Sequence, residues 1–275
     1  MSSLQSRKDV VPKALLFLDE SMGKIWPFPR GKGMFCSALD ALCAVGLFPP
    51  GWREYNGMSI WVDPRNYLSR CLIHEGVYQP EVSEALATWL PQGRVMVDVG
   101  ANVGYMTMLG ARRVGPAGRV LAIEPNPYMV EAMRRHLDKN GISNVSIVQA
   151  GCSRARGSFP LYLSPDRNPG MTSLSAKNAH SQRSIQVDVV PLDELVAEFN
   201  PPSLDVLKID VEGAELQVLQ GAKETLRRFR PVILMELDPR LLSSFGTKPE
   251  QILELLARLG YSHGALSEHD IIARC

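Results

Sequence analysis

The sequence predicts an α/β fold: a mostly parallel seven-stranded sheet with helices on both faces, preceded by an N-terminal α/β extension. Three observations predict it. From Gly93 onward, short apolar runs alternate with segments of helical periodicity, the pattern of a parallel sheet whose crossovers are helices. Glycine- and proline-containing turns separate them. Acidic residues stand at or just past several of the runs, where such a sheet presents its strand ends to a ligand.

Residues 1–92 form the extension and 93–275 the main domain. Met1 to Lys13 is polar and charged, without the apolar stretch of a secretion signal. Trp26-Pro27-Phe28-Pro29-Arg30-Gly31-Lys32-Gly33 is punctuated as a surface loop. Ala38 to Phe48 is apolar but shorter than the roughly 20 residues a bilayer requires, so it reads as a buried helix. Asn56-Gly57, between Glu54-Tyr55 and Met58 to Val62, is a hairpin signal. Gln79 to Leu90 reads as a helix, with Pro80 in its first turn and Val82, Leu86 and Leu90 on one face.

In the main domain, Val95 to Val99 reads as a buried parallel strand, Gly100 to Gly104 as a turn and Tyr105 to Val114 as a helix. Arg119 to Ile123 is the second strand. Asn126 caps the next helix, with Pro127 at its first position and Gly141 past its end. Val145 to Val148 is the third strand. Ser158 to Leu163 and Ile185 to Val190 are extra strands around a polar loop, Pro165 to Arg183. Leu204 to Ile209 is the fourth core strand, Ala214 to Arg228 its helix, and Val232 to Met235 the fifth. Thr247-Lys248-Pro249-Glu250 resembles a capping box opening a helix to Leu259. Tyr261 to Leu266 and Ile271 to Ala273 complete the sheet.

Composition narrows the partners. Hydrophobic residues are 45% and charged residues 21% of the chain, enough apolar content for a core without disulfide staples. The net charge of +1 gives no overall field toward nucleic acid, so no nucleic-acid partner is expected. No stretch spans a bilayer, and peripheral membrane contact stays open. The five cysteines, Cys36, Cys43, Cys71, Cys152 and Cys275, are odd in number and contain no Cys-x-x-Cys pair. That argues against a disulfide framework or a zinc site and for a reducing cytoplasm. Nothing in the pattern fixes an oligomeric state.

The first strand ends in Asp98-Val99-Gly100-Ala101-Asn102-Val103-Gly104. Glycine here allows a sharp turn and close backbone approach to a ligand. An acid at this strand end suits a cationic amino group better than a phosphate. Glu124-Pro125-Asn126 follows the second strand, where a carboxylate can accept both hydroxyls of a ribose; a solvated loop acid is the plainer alternative. As a rim carboxylate, Glu124 is expected to be dispensable for folding. Lys208-Ile209-Asp210-Val211-Glu212-Gly213-Ala214-Glu215 closes the fourth strand. Asp210 would face the ligand. Glu212 stands near a helix N-terminus that favours its charge. Helix capping accounts for Glu215, and pairing with one of these acids accounts for Lys208.

These stretches, from Val97 to Thr107, Glu124 to Asn126 and Leu207 to Glu215, resemble the FkbM family of methyltransferases. The lead-in Gly76-Val77-Tyr78-Gln79-Pro80 is similar as well, and the resemblance covers roughly Gly76 to Leu237. It implies a Rossmann-like class I methyltransferase fold, S-adenosyl-L-methionine (SAM) as donor, and O-methylation of a sugar or polyketide-like hydroxyl. It implies that Asp98, Gly100, Asn102 and Gly104 hold the methionine part of SAM and Glu124 the ribose, with Gln149-Ala150-Gly151 bordering the adenine. Tyr78, Ala101, Tyr105, Pro125 and Asn126 flank these motifs and join the donor-site candidates.

An alcohol is a poor nucleophile and gains from a general base. Asp210, Glu212 and His180 are the candidates, Asp210 the best placed by topology, with His74 within possible reach. Asp210 and Glu236 could share a divalent ion, but no His/Cys cluster supports one and no metal is assigned. The extension and the Pro165 to Arg183 loop are expected to roof the acceptor side. Two other functions compete: a nucleotide-dependent oxidoreductase, disfavoured because Gly-x-Gly-x-x-Gly is absent, and a non-catalytic SAM-binding module.

Overall fold

The computed structural model describes residues 49–163 and 172–275. The loop expected at residues 26–33, the helix expected at 38–48, the N-terminal thirteen residues, Cys36 and Cys43 lie outside the described residues. The chain divides into two compact units, one ending at Tyr78 and the other running from Gln79 to Cys275.

In the first unit, β1 (Gly51–Tyr55) and β2 (Met58–Val62) form an antiparallel hairpin. Asn56 (φ 51°) and Gly57 (φ 70°) both occupy the left-handed region, as a tight two-residue hairpin turn demands. Helix α1 (Tyr67–Glu75) follows, an element absent from the sequence expectation. Its signals are terminal: the Asn66 side chain accepts from the Ser69 N–H, and Gly76 at φ 73° ends it.

The second unit opens with α2 (Pro80–Trp89), then β3 (Val95–Val99), α3 (Tyr105–Val114), β4 (Arg119–Ile123), α4 (Pro127–Lys139) and β5 (Val145–Val148). An insertion follows, made of β6 (Gly151–Cys152), β7 (Gly157–Tyr162), α5 (Ala176–Ala179) and β8 (Ser184–Val190). Next come α6 (Leu192–Phe199), β9 (Val206–Ile209), α7 (Glu215–Gln220), α8 (Lys223–Phe229), β10 (Val232–Glu236), α9 (Pro239–Ser243), α10 (Pro249–Arg258), β11 (Ser262–Ala265) and β12 (Asp270–Arg274).

Seven of these strands make the main sheet, in the order β11-β12-β10-β9-β3-β4-β5. β10, β9, β3, β4 and β5 run parallel, and β12 is antiparallel to both its neighbours. From β3 the chain moves outward through β4 to β5, then returns to lay β9 on the other side of β3. The β3/β9 junction is therefore a topological switch point, where the crossovers part and leave a crevice at the carboxyl ends. The insertion strands form a separate small sheet, β6-β8-β7.

The two faces differ in chemistry because strand side chains alternate. Val95, Val97, Val99, Leu121, Ile123, Leu207, Ile209, Ile233 and Met235 face one apolar cluster with residues of α6, α7, α8 and α10. The opposite face carries Met96, Asp98 and Lys208. Helix α3 settles there, since Gly110 has no Cβ to collide with the Met96 sulfur.

Two expectations are corrected. The single helix expected from Ala214 to Arg228 is two helices, α7 and α8, broken at Gly221-Ala222. A Cβ on Gly221 would lie 2.2 Å from the Ser153 carbonyl oxygen, so tight packing on β6's exit loop accompanies the break. The capping box expected before α10 is only half formed, because the N-cap side chain there has no acceptor. Lys248, not Thr247, is the N-cap, and its N–H donates to Gln251 Oε1 at 2.8 Å.

Candidate active site

The carboxyl ends of β3, β4, β9 and β10 gather the acids that the sequence singled out. Gly100 begins the turn after β3 at φ 79°, and its N–H donates to the Ile123 carbonyl at 2.9 Å. A Cβ here would lie 1.8 Å from the Asp210 carbonyl oxygen. Only glycine lets the β3 turn pass that close to the end of β9. The turn continues through Asn102 (φ 53°), whose side-chain oxygen accepts from the Val103 N–H, to Gly104 (φ 87°). Gly104 has no room for a Cβ beside Met133, and no side chain caps the first turn of α3 behind it. His136 Nδ1 meets the Val103 carbonyl at 2.9 Å and holds the turn from α4.

Glu124 is only 7% exposed. One carboxylate oxygen accepts from the Asn102 N–H and the other from the Asn126 N–H, each at 2.8 Å. It thus ties the turn after β3 to the turn after β4. The solvated loop acid is excluded, and the expectation that a rim carboxylate is dispensable for folding is corrected: removing it strands two backbone donors. Asn126 spends its side-chain oxygen on the Tyr128 N–H as helix cap. Ala150 and Gly151 are buried at the start of β6, and Pro125 lies beside Gly151. Ala101 and the Tyr105 ring are buried too. Tyr78 belongs to the first unit, where its ring stands edge-on to Tyr67, and His74 lies on α1 of that unit.

An ionic trio fills the β3/β9 junction. Lys208 and Asp98 are register partners on adjacent strands. The Lys208 ammonium lies 3.6 Å from Asp98 Oδ1 and 3.2 Å from Asp210 Oδ2. Asp98 is wholly buried and accepts a 2.6 Å hydrogen bond from the Thr107 hydroxyl. Asp210 keeps an outward edge, its side chain 18% exposed. Its Oδ2 also accepts from Gln79 Nε2 at 3.4 Å. Gln79 stands at φ 45° just before α2 and makes no cap hydrogen bond; its side chain goes to Asp210 instead. A bulky residue held in the left-handed region points to a local demand other than helix capping.

The loop after β9 is strained as well. Glu212 has φ 55°, and its carbonyl accepts from the Ser173 hydroxyl and from Asn178 Nδ2. Glu215 accepts from the Val211 and Gly213 N–H groups, the capping role expected of it. Residues 172–179 of the polar loop therefore dock on this turn, while 164–171 lie outside the described residues. His180 is exposed and in the left-handed region at the end of α5.

Burial dominates the electrostatics. It pushes Glu124 and Glu215 up to about 7, and Glu212, with Asp210 and Glu215 nearby, up to about 8. Glu236, ending β10, is pushed well above the usual carboxylate range by burial and by Asp210, Glu212, Glu215 and Asp270 around it. Among the described residues, no group of three or more His, Cys, Asp or Glu side chains is arranged to hold a metal ion.

These shifts set a sign for stability. A carboxyl raised in the folded state binds its proton more tightly there than in the unfolded chain. Its contribution is full below the unfolded value and is lost as pH rises through the folded one. Glu124, Glu212, Glu215 and Glu236 act together, Asp270 is raised as well, and among the described residues His136, which burial lowers, opposes them near neutrality. The melting temperature is expected to fall between about pH 5 and about pH 8.5 in a calorimetric scan. A flat or rising profile would contradict the burial assigned to these acids.

Sequence comparison bears on the same strand ends. The sequence model of a family described as Methyltransferase FkbM domain matches residues 98–262. The chain is 30% identical over 202 residues to Methyltransferase sdnD of Sordaria araneosa, covering 62% of this chain and 75% of that one. It is 28% identical over 163 residues to hexuronic acid methyltransferase AglP of Haloferax volcanii, covering 59% and 61%. It is 27% identical over 185 residues to 31-O-demethyl-FK506 methyltransferase FkbM of Streptomyces tacrolimicus, covering 58% and 66%. Among the described residues, no helix is long and apolar enough to cross a membrane.

Proposed function

The chain belongs to the FkbM family of methyltransferases, and on that premise we propose that it O-methylates a hydroxyl of a sugar, glycan or natural-product acceptor. That it is a SAM-dependent methyltransferase follows from the family and the fold. The observation that carries the finer reading is the set of carboxyl ends of β4, β3 and β9, which present in turn a ribose-type carboxylate, a glycine turn and a partly open aspartate.

The residues fit SAM on three counts. The first turn of α3 lacks a side-chain cap and suits the carboxylate of an amino acid. Gln79 Oε1 is a buried acceptor without a hydrogen-bond partner among the described residues, which suits an ammonium nearby, whereas Asp98 Oδ1 already faces the Lys208 ammonium. Each Glu124 oxygen keeps a second acceptor site for a ribose hydroxyl. Gly100, Ala101, Asn102 and Gly104 would line the donor's amino-acid end, and Pro125, Ala150 and Gly151 the adenine side. When bound, SAM supplies a methyl group on a cationic sulfur.

The protein's own residues then have two tasks. The turn backbone and Glu124 fix the donor so that the acceptor oxygen can approach in line. Asp210, with its outward oxygen, takes the hydroxyl proton as the oxygen attacks. Glu212 and His180 stay as secondary candidates for the base. The relatives named for a hexuronic acid and for 31-O-demethyl-FK506 support an oxygen acceptor.

Incubation with SAM and a panel of neutral sugars, uronic acids and polyketide alcohols, read by mass spectrometry, tests this reading. A methyl gain on a hydroxyl is expected, and transfer only to nitrogen or carbon would overturn it. For the donor side, Glu124→Gln is expected to weaken binding of S-adenosylhomocysteine by about 1–3 kcal/mol, the size of a lost charged hydrogen bond. It should also lower the melting temperature, because one backbone donor then faces an amide. Unchanged affinity in calorimetry removes Glu124 from the donor site.

A further inference from the structure

Lys208 is an odd residue for its position. It sits in the middle strand of a sheet, its side chain 6% exposed, between Asp98 from β3 and Asp210 at the end of its own strand. Its other sheet partner, Leu234 on β10, is neutral, and Asp270 on β12 adds a more distant negative charge. Thr107 from α3 and Gln79 before α2 are uncharged, while Glu212 after β9 acts on Lys208 and Glu124, Glu215 and Glu236 act on Asp98 or Asp210. A buried ammonium is costly and is rarely a net gain over an apolar residue, so its presence calls for a reason.

The geometry supplies one. Lys208 and Gln79 both engage the same oxygen of Asp210, Oδ2. We propose that Lys208 is a positioning residue: it holds Asp98 and Asp210 together as a pair of anions across the switch point, and with Gln79 it occupies Oδ2 of Asp210 so that Oδ1 faces the acceptor. The proposal rests on the reading of Asp210 as the base. It adds that the base is kept charged and aimed by a residue that never meets the substrate. Without the ammonium, two carboxylates that both meet it now would be left as neighbouring like charges, one of them wholly buried, and the pair would take up a proton.

The test needs neither donor nor acceptor. Lys208→Met and, as a second neutral variant that keeps a hydrogen-bonding end, Lys208→Gln are compared with the wild-type protein by urea denaturation across about pH 5 to about pH 8.5. Glu124, Glu212, Glu215, Glu236 and His136 titrate in all three proteins, so the readout is the difference between curves. In the variants the folded state holds an extra proton, so their deficit grows as pH rises. The folded-to-unfolded ratio should fall by up to roughly tenfold per pH unit relative to wild type. Deficits that are the same at every pH, in either variant that folds at acid pH, show a packing role only and overturn the proposal. So does failure of both variants to fold at acid pH, where the shared proton should rescue them. The role of Asp210 as base stands or falls separately, on the kinetics of its own variant.

Discussion

Replacing Gly100 by alanine is expected to abolish SAM binding and to cost about 4 kcal/mol or more of stability, the range reserved for a forced rearrangement of packed structure. Two effects add. The residue stands at φ 79°, where a side chain is strained. The new methyl group would lie 1.8 Å from the Asp210 carbonyl oxygen, 2.8 Å from its carbon and 3.3 Å from Val211 Cγ1, against about 3.5 Å for ordinary contact. The colliding atoms are backbone, and they cannot turn aside. The Asp210 N–H is bonded to the Val99 carbonyl at 3.0 Å, so relief requires prying β9 from β3 at the switch point itself. Gly141→Ala is the control. At φ 63° with nothing near its Cβ, it should cost only about 1 kcal/mol, from backbone strain. Urea denaturation and calorimetry with S-adenosylhomocysteine measure both. A Gly100→Ala protein as stable as the control would mean that the β3 and β9 turns do not meet as described.

The second large effect is kinetic. Asp210→Asn is expected to lower kcat by about two orders of magnitude or more, the usual range for losing a general base. The amide keeps the shape and can still accept from Lys208 and Gln79, so the fold should persist. The affinity for S-adenosylhomocysteine should change little, because Asp210 works on the acceptor side. A contact made only in the transition state lowers kcat, whereas one made uniformly to the donor raises KM for SAM. The assay uses the acceptor identified by the methylation panel. Full activity would move the search for a base to Glu212 and His180; a raised KM with kcat intact would make Asp210 a donor anchor.

The strands were legible because both periodicity and punctuation are strong here. Val95 to Val99 is apolar on four of five positions, and Asn126-Pro127 and Gly141 mark both ends of α4. The main sheet and the hairpin at Asn56-Gly57 follow from such local signals. Helix α1 was missed because it is short, although Leu68, Leu72 and Ile73 share one helical face and Asn66 and Gly76 mark its ends. The break between α7 and α8 was missed because its correlate, the Ser153 backbone, is remote in sequence. The acids at the strand ends were also legible as a group. Their partners were not. Thr107 meets Asp98 across a turn, and Gln79 meets Asp210 across 131 residues of chain, so only the assembled sheet joins them. The burial of Glu124 is a further case, since a carboxylate after a strand reads as exposed until two backbone donors are seen to converge on it.

Calorimetric titration of the wild-type protein with S-adenosylhomocysteine tests the central claim most directly, that the carboxyl ends of β3 and β4 hold the methyl donor. The account predicts saturable binding of one ligand per chain, lost in Gly100→Ala and weakened in Glu124→Gln. Absence of heat at saturating ligand, with no accompanying rise in melting temperature, would contradict it.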